Sequence, residues 1–190
     1  MRLEFDCEGS GEVQLAVLKA ICDSTQGKSM IDLCCGEAPN TRKLGFERKT
    51  FVDIFYRDLG EESANFICQE IFKLPKMKYY DVAIAMDCIE HFSKKDGYTF
   101  LKIMDGLADK RIIFTPLGNY LIETTKTDNP DSHKSGWLPE EFDEMGWATI
   151  AFLNFHPTLN IGAFFAWQCH YIYTDFLRVK QELNQYSWAK

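Results

Sequence analysis

Long apolar runs are missing from this chain of 190 residues, because no stretch of about 18 residues passes without a charge or a glycine. A membrane-spanning helix is therefore not expected. The opening residues, MRLEFDCEGSGE, lack the basic region and apolar run of a secretory leader, so the expectation is a soluble, cytoplasmic chain. No CxxC pair occurs among the seven cysteines, Cys7, Cys22, Cys34, Cys35, Cys68, Cys88 and Cys169, and most of them lie inside apolar runs. They are expected as reduced, core-filling thiols, neither a disulfide framework nor a zinc site. Positive charge is also short: 21 Lys and Arg against 28 Asp and Glu leave a formal net charge of −7. Such a balance repels a phosphate backbone, so nucleic acid is a disfavoured partner. The pairs at Lys73–Lys78 and Lys94–Lys95 look like solvated faces, not a track for RNA. A GxGxxG loop is absent too, which argues against a dinucleotide pyrophosphate.

What is present suits one domain with a real core, since 46% of the residues are hydrophobic. Val13 to Cys22 has the spacing of an opening helix. Short apolar runs follow at Met30–Leu33, Phe51–Ile54, Phe66–Cys68, Val82–Met86 and Ile112–Thr115. Continuous apolarity over so few residues fits strands covered on both faces. Between the last two runs, Lys94 to Leu107 predicts a helix with Tyr98, Leu101, Met104 and Leu107 on its buried face. Alternation of strand and helix is the order of βαβ units and a parallel sheet. After Thr115-Pro116 comes a polar, turn-rich segment, then a small helix from Pro139 to Met145, opened by proline and closed by Gly146. Two β-rich runs end the pattern, Ala148–Phe155 and Phe164–Tyr173, joined by HPTLNIG with Pro157 and Gly162 as turn formers. A loop that short joins antiparallel strands, because a parallel pair needs a dozen or more residues of crossover.

The first of the short runs leads into MIDLCCGEAPN, where an apolar strand meets a cluster of small residues. A sharp turn at the carboxyl end of a parallel strand is where open α/β sheets bind ligands, and Gly36 would let one approach the backbone. Asp32 and Glu37 beside it repel phosphate and favour a cationic or amine-bearing ligand. Asp53, 17 residues after Gly36, ends the second run, where an acid can accept from both hydroxyls of a ribose. Glu70, after the third run, can reach an adenine amino group. Adenosine with a positively charged tail and no phosphates describes S-adenosylmethionine.

Here the chain resembles the class I S-adenosylmethionine-dependent methyltransferases. IDLCCGEA is similar to their first motif, "LDLGCGxG", with Asp32, Cys35 and Gly36 matching while Cys34 and Ala38 stand in place of glycines. YYDVAIAMDCIEHF, IIFTPLGN and SGWLPEEFDEMGW resemble later segments of the same family, so the likeness spans about residues 28 to 150. A Cβ at position 34 or 38 threatens to crowd the methionine end. The resemblance implies a Rossmann-like fold of class α/β, a seven-stranded mixed sheet of five parallel strands plus a C-terminal antiparallel hairpin, with helices on both faces. One domain would cover 1–190: an N-terminal helix region (1–27), a cofactor-binding half (28–115), and an acceptor loop with the hairpin (116–190).

The cofactor contacts expected from it are Asp32, Cys34, Gly36, Asp53, Ile54, Glu70, Ile71 and Asp87. Asp32 and Gly36 would face the methionine end, Asp53 the ribose and Glu70 the adenine, with Asp87 and Cys88 where the fourth strand opens to the pocket. Phe55, Tyr56 and Phe72 are available for stacking, although most of the 15 phenylalanines must be core. Methyl transfer is an in-line displacement in which positioning does much of the work. A hydroxyl or amine acceptor must also lose a proton, for which His91, His133 or Asp131 are candidate bases. Trp137 is either acceptor wall or hydrophobic anchor.

No metal is expected in this reading. Asp87, Glu90, His91 and His133 nonetheless resemble the E-x-x-E-H metal motif of small-RNA 3′-end methyltransferases, with Asp in place of the first Glu. The expected reaction is methylation of a small-molecule or sugar-like acceptor. The alternatives are a catalytically silent binding module and a metal-dependent RNA methyltransferase. The sequence leaves acceptor atom and oligomeric state open.

Overall fold

The computed structural model describes residues 1–23, 25, 27–60, 65–74, 79–119, 132–156 and 158–189. Its elements in chain order are β1 (Arg2–Glu8), α1 (Gly11–Asp23), β2 (Ser29–Leu33), β3 (Arg48–Asp53), β4 (Phe66–Cys68), β5 (Tyr80–Met86), α2 (Lys94–Asp105), β6 (Ala108–Pro116), α3 (Pro139–Glu144), β7 (Ala148–His156), β8 (Ile161–Gln168) and α4 (Ile172–Leu183). All eight strands form one sheet in the order β1-β7-β8-β6-β5-β2-β3-β4. Strand β8 is antiparallel to both its neighbours, β6 and β7, while the remaining pairings are parallel.

The central strands are apolar on successive residues because both faces are covered. Met30, Val82, Ile84, Ile112 and Phe114 pack on one face with Val17, Leu18 and Ile21 of α1 and Phe176 and Val179 of α4. Their sequence neighbours Ile31, Leu33, Ala83, Ala85 and Ile113 point the other way, into a second cluster with Phe100 and Met104 of α2 and Phe142 of α3. Helices thus lie on both faces, as expected. The crossover from β2 to β3 is short and carries a single 3-10 turn, Thr41–Lys43, in place of an α-helix.

Four expectations need correction. The sheet has eight strands, not seven, because residues 2–8 add an edge strand parallel to β7. Leu3, Phe5 and Cys7 alternate with exposed acids and pack on the core, a period-2 pattern buried on one side only. The last strand stops at Gln168, not Tyr173, since Ile172 opens a helix whose buried residues Asp175, Phe176, Val179 and Leu183 have helical spacing. On α2 the buried face is Gly97, Phe100, Leu101 and Met104, and Tyr98 is exposed. Finally, Cys34 and Cys88 are joined as a disulfide; Cys7, Cys22, Cys35, Cys68 and Cys169 are free thiols as expected, but of these Cys22 and Cys35 alone are buried as core filler and Cys68 is exposed. The pairing needs strands that lie far apart in sequence but adjacent in the sheet. Pro157, expected to form the hairpin turn, and Asp131, a candidate base, lie outside the described residues.

One buried charge ties α1, α4 and the sheet together. Lys110 Nζ on β6 donates to both carboxylate oxygens of Asp175, each at 2.9 Å, and to the carbonyl of Ile21 at 2.8 Å. Trp167 Nε1 also donates to Asp175, at 2.8 Å. Removing one member leaves the other charge buried and uncompensated, which costs about 3–5 kcal/mol. Lys110→Met is therefore expected to lower unfolding free energy in urea by about that much. The double change Lys110→Met with Asp175→Asn, which keeps an acceptor for Trp167, should recover a large part of it. Equal losses in single and double variants would contradict the assignment.

Candidate functional site

Strand order reverses between β2 and β5: the chain leaves β2 toward β3 on one side and leaves β5 toward β6 on the other. Loops at the carboxyl ends therefore diverge at this point, which is where open α/β sheets hold ligands. A cavity of about 990 Å³ lies there. Of the expected contacts, Cys34, Gly36, Asp53, Ile54, Glu70, Ile71 and Asp87 line it, as do Cys88 and His91.

The turn after β2 is built around left-handed backbone. Gly36 sits at φ +52°, and a Cβ there would meet nothing within 4 Å. Cys34 and Ala38, which occupy the positions of usual glycines, also have positive φ, 58° and 49°. L-residues adopt that conformation at a cost. Their side chains diverge, however. Ala38 is buried in the α1-side core and does not reach the cavity, whereas Cys34 lines it. Crowding by a Cβ thus concerns position 34 alone.

Asp53 organises the turn. Its Oδ2 accepts from the amide of Gly36 at 2.9 Å and its Oδ1 from the amide of Phe55 at 3.0 Å. Each oxygen keeps a further lone pair for a ligand hydroxyl. Glu70 is paired with Lys73 one turn on, at the cavity wall. Ile54, Phe55 and Phe72 present exposed apolar surface to the same side, while Tyr56 packs on Phe66.

Asp32 is the exception among the expected contacts. It is buried on β2, does not line the cavity, and accepts a hydrogen bond from Thr41 Oγ1. Its Oδ1 is buried with no partner among the described residues. Burial first, and the charge of Asp53 to a smaller extent, push its carboxyl up to about 7, while the Thr41 hydrogen bond works against them. A protonated Asp32 avoids placing an unpaired charge in the core.

Beyond β5 the chain makes a 3-10 turn, Ile89–His91. Glu90 is buried and accepts from Thr115 Oγ1 at 2.8 Å, leaving Oε1 without a partner among the described residues. Burial and the neighbouring Asp87 raise its carboxyl to about 8. Surrounding protein also raises the carboxyl of Asp87, although that side chain faces the open cavity and water. The carbonyl of Glu90 accepts from the amides of Lys134 and Ser135, at 2.7 and 3.1 Å, and His91 Nδ1 lies 3.3 Å from the carbonyl of Ser132. These contacts fasten the segment 132–135 over the turn and bring the His133 ring to 5.0 Å from that of His91. Donor atoms of Glu90, His91 and His133 all lie within 4.8 Å of one another, and Asp87 stands outside this group.

Trp137 is an anchor. It is fully buried against Phe142 and Gly97, with Lys94 Nζ 3.6 Å above its ring and its Nε1 donating to Ser135 Oγ at 3.0 Å. The sequence reading missed Arg57, Cys68, Phe92 and Lys134 as cavity residues. Only Lys134 carried a signal, by standing next to His133.

No family model and no curated protein matches the sequence. Solved structures match it in fold. The methyltransferase domain of the bacterial protein CtHen1 superposes with TM-score 0.55 at 20% identity, over 81% of this chain and 96% of that one. The N-methyltransferase NodS from Bradyrhizobium japonicum WM9, in complex with S-adenosyl-L-homocysteine, gives 0.61 at 11% identity, over 82% and 84%. The small RNA methyltransferase HEN1 gives 0.57 at 12% identity over 85% of this chain, which spans only 26% of that protein. The fold is accordingly that of the class I methyltransferases, Rossmann-like with a C-terminal antiparallel strand pair.

Asp32 makes stability depend on pH with a definite sign. Unfolded, it ionises near 4; folded, it holds its proton to about 7. Its contribution is therefore complete below pH about 4 and is lost as pH rises toward 7. Asp32→Asn should flatten the fall of the urea midpoint between pH 5 and 7, and parallel slopes in both proteins would contradict an uncharged Asp32.

Proposed function

We propose that the protein is an S-adenosylmethionine-dependent methyltransferase acting on a small-molecule or sugar-like acceptor. The observation that carries this reading is Asp53: a carboxylate fixed by two backbone amides at the end of β3, beside an open Gly36 turn, in the wall of a cavity at the strand-order reversal. In this reading Asp53 accepts from the ribose hydroxyls, Ile54 and Ile71 flank the adenosine, and Glu70 faces the adenine. Gly36 lets the methionine portion pass close to the backbone, and Cys34 and Asp87 border it. The cofactor, when bound, supplies an electrophilic methyl group on a sulfonium. The chain's own part is to align the acceptor and take its proton, for which His91 is placed at the cavity wall and His133 beside it. NodS, solved with the demethylated cofactor, supports an adenosyl ligand in a cavity of this fold.

A second reading is favoured by Glu90, His91 and His133. A buried carboxylate oxygen without a partner among the described residues and two imidazoles within mutual reach suit a divalent cation. That arrangement fits metal-assisted methylation of an RNA end, in line with the likeness to HEN1. The net charge of −7 weighs against a nucleic-acid acceptor.

Calorimetric titration with S-adenosylhomocysteine should give saturable binding, and Asp53→Ala, checked for folding by circular dichroism, should weaken it by about 2 kcal/mol, roughly thirtyfold. An absence of binding by the wild type would refute the first reading. Titration with manganese(II) separates the two. A saturable heat abolished in His133→Ala would favour the metal reading, and no heat would leave the histidines as proton acceptors.

A further inference from the structure

We propose that Cys34 and Cys88 form a reversible redox site in the wall of the cavity, and that its reduction weakens binding of the adenosyl ligand; this rests on the reading above. The two residues lie just past the ends of neighbouring strands, β2 and β5, and so straddle the strand-order reversal. They are 54 residues apart in sequence, yet their Cα atoms are 5.9 Å apart, within the range a disulfide bridges. Both line the cavity. Cys34 holds left-handed backbone, where glycine would be cheaper, and its half-buried side chain divides its surface between the second core and the cavity.

The other thiols do not share this setting. Cys22 is sealed in the core, and Cys35 is buried with its thiol pushed up by burial and by the nearby Asp32 and Asp53. Cys68 also lines the cavity but is a free thiol, donating to the carbonyl of Ile54 at 3.4 Å.

The chemistry is thiol–disulfide exchange with a dithiol reductant. One sulfur of the reductant attacks Cys34, the more exposed of the two, the Cys34–Cys88 bond breaks, and a mixed disulfide forms. The reductant's second thiol then displaces Cys34. The pair gains two electrons and two protons, and the reductant leaves as its own disulfide. Two unbonded sulfurs need more room than a bonded pair. Cys88 is fully buried in the second core cluster while Cys34 is only half-buried, so it is the Cys34 thiol that turns into the cavity. There it meets the space assigned to the methionine end.

The test uses the full chain, oxidised with oxidised glutathione or reduced with dithiothreitol. Peptide mapping without reduction should show the Cys34–Cys88 pair in the first sample and not in the second. Calorimetry with S-adenosylhomocysteine should give affinity roughly tenfold weaker for the reduced protein, about the effect of one misplaced methylene in a pocket. Cys34→Gly, which suits the left-handed backbone and clears the wall, should bind alike in both conditions. Cys88→Ser, which frees Cys34, should resemble the reduced wild type. Absence of the bridged peptide, or equal affinity in the two states of the wild type, would overturn the proposal. If neither state binds while the bridged peptide forms and reduces, the adenosyl reading fails and with it the ligand effect, but the redox site stands.

Discussion

Between β2 and β5 the chain's connections leave in opposite directions, and the separation of the loops that follows is what makes room for a ligand. Parallel strands deliver their carboxyl ends to one edge, so Cys34, Asp53, Cys68 and Asp87 arrive there from four segments that are not adjacent in sequence. That delivery depends on burial. Each central strand is sealed on both faces, and a one-residue slip would exchange Met30 for Ile31 and Val82 for Ala83 between the two cores. Register is held by packing, and the positions of the cavity residues follow from register.

Polar anchors then fix what packing leaves free. Asp53 binds two amides from two different turns, coupling the β2 loop to the β3 loop through one carboxylate. Glu90 does the corresponding work on the far wall, where its carbonyl holds 134 and 135 and its side chain holds Thr115 at the end of β6. The two acids differ in surroundings. Asp53 is half-exposed at the cavity, and Glu90 is sealed, with one oxygen unpaired among the described residues. A carboxylate in the first setting serves a neutral polar ligand, and one in the second calls for a proton or a cation.

Much of this was legible in the residues. Continuous apolar runs located five strands, and an acid or glycine just past such a run identified Gly36, Asp53 and Glu70, because a strand end is a local property. Strand β1 was missed although Leu3, Phe5 and Cys7 alternate cleanly, since an edge strand buried on one side has half the apolar signal of a central one. Helix α4 was missed because Tyr171 and Tyr173 read as strand residues, while its buried face includes Asp175, whose place in the core depends on Lys110, 65 positions earlier. Asp32 was misplaced for a related reason. A β-strand alternates its faces, but a residue count cannot say which face of a fully covered strand adjoins the ligand.

The Cys34–Cys88 pair was invisible for the same physical reason that makes it consequential. Nothing local links the two positions; only the pairing of β2 with β5 brings them together. Departure from glycine at 34 looked like a defect in a ligand-binding turn, and so did the departure at 38. The structure separates these cases. Ala38 directs its methyl into the core and contributes burial there, which offsets part of the left-handed backbone cost. Cys34 is half-buried between the cavity and the second core cluster, and its sulfur is joined to Cys88 across the strand-order reversal. At position 34 the left-handed backbone therefore carries a side chain with two roles, packing on the second core and bonding to Cys88.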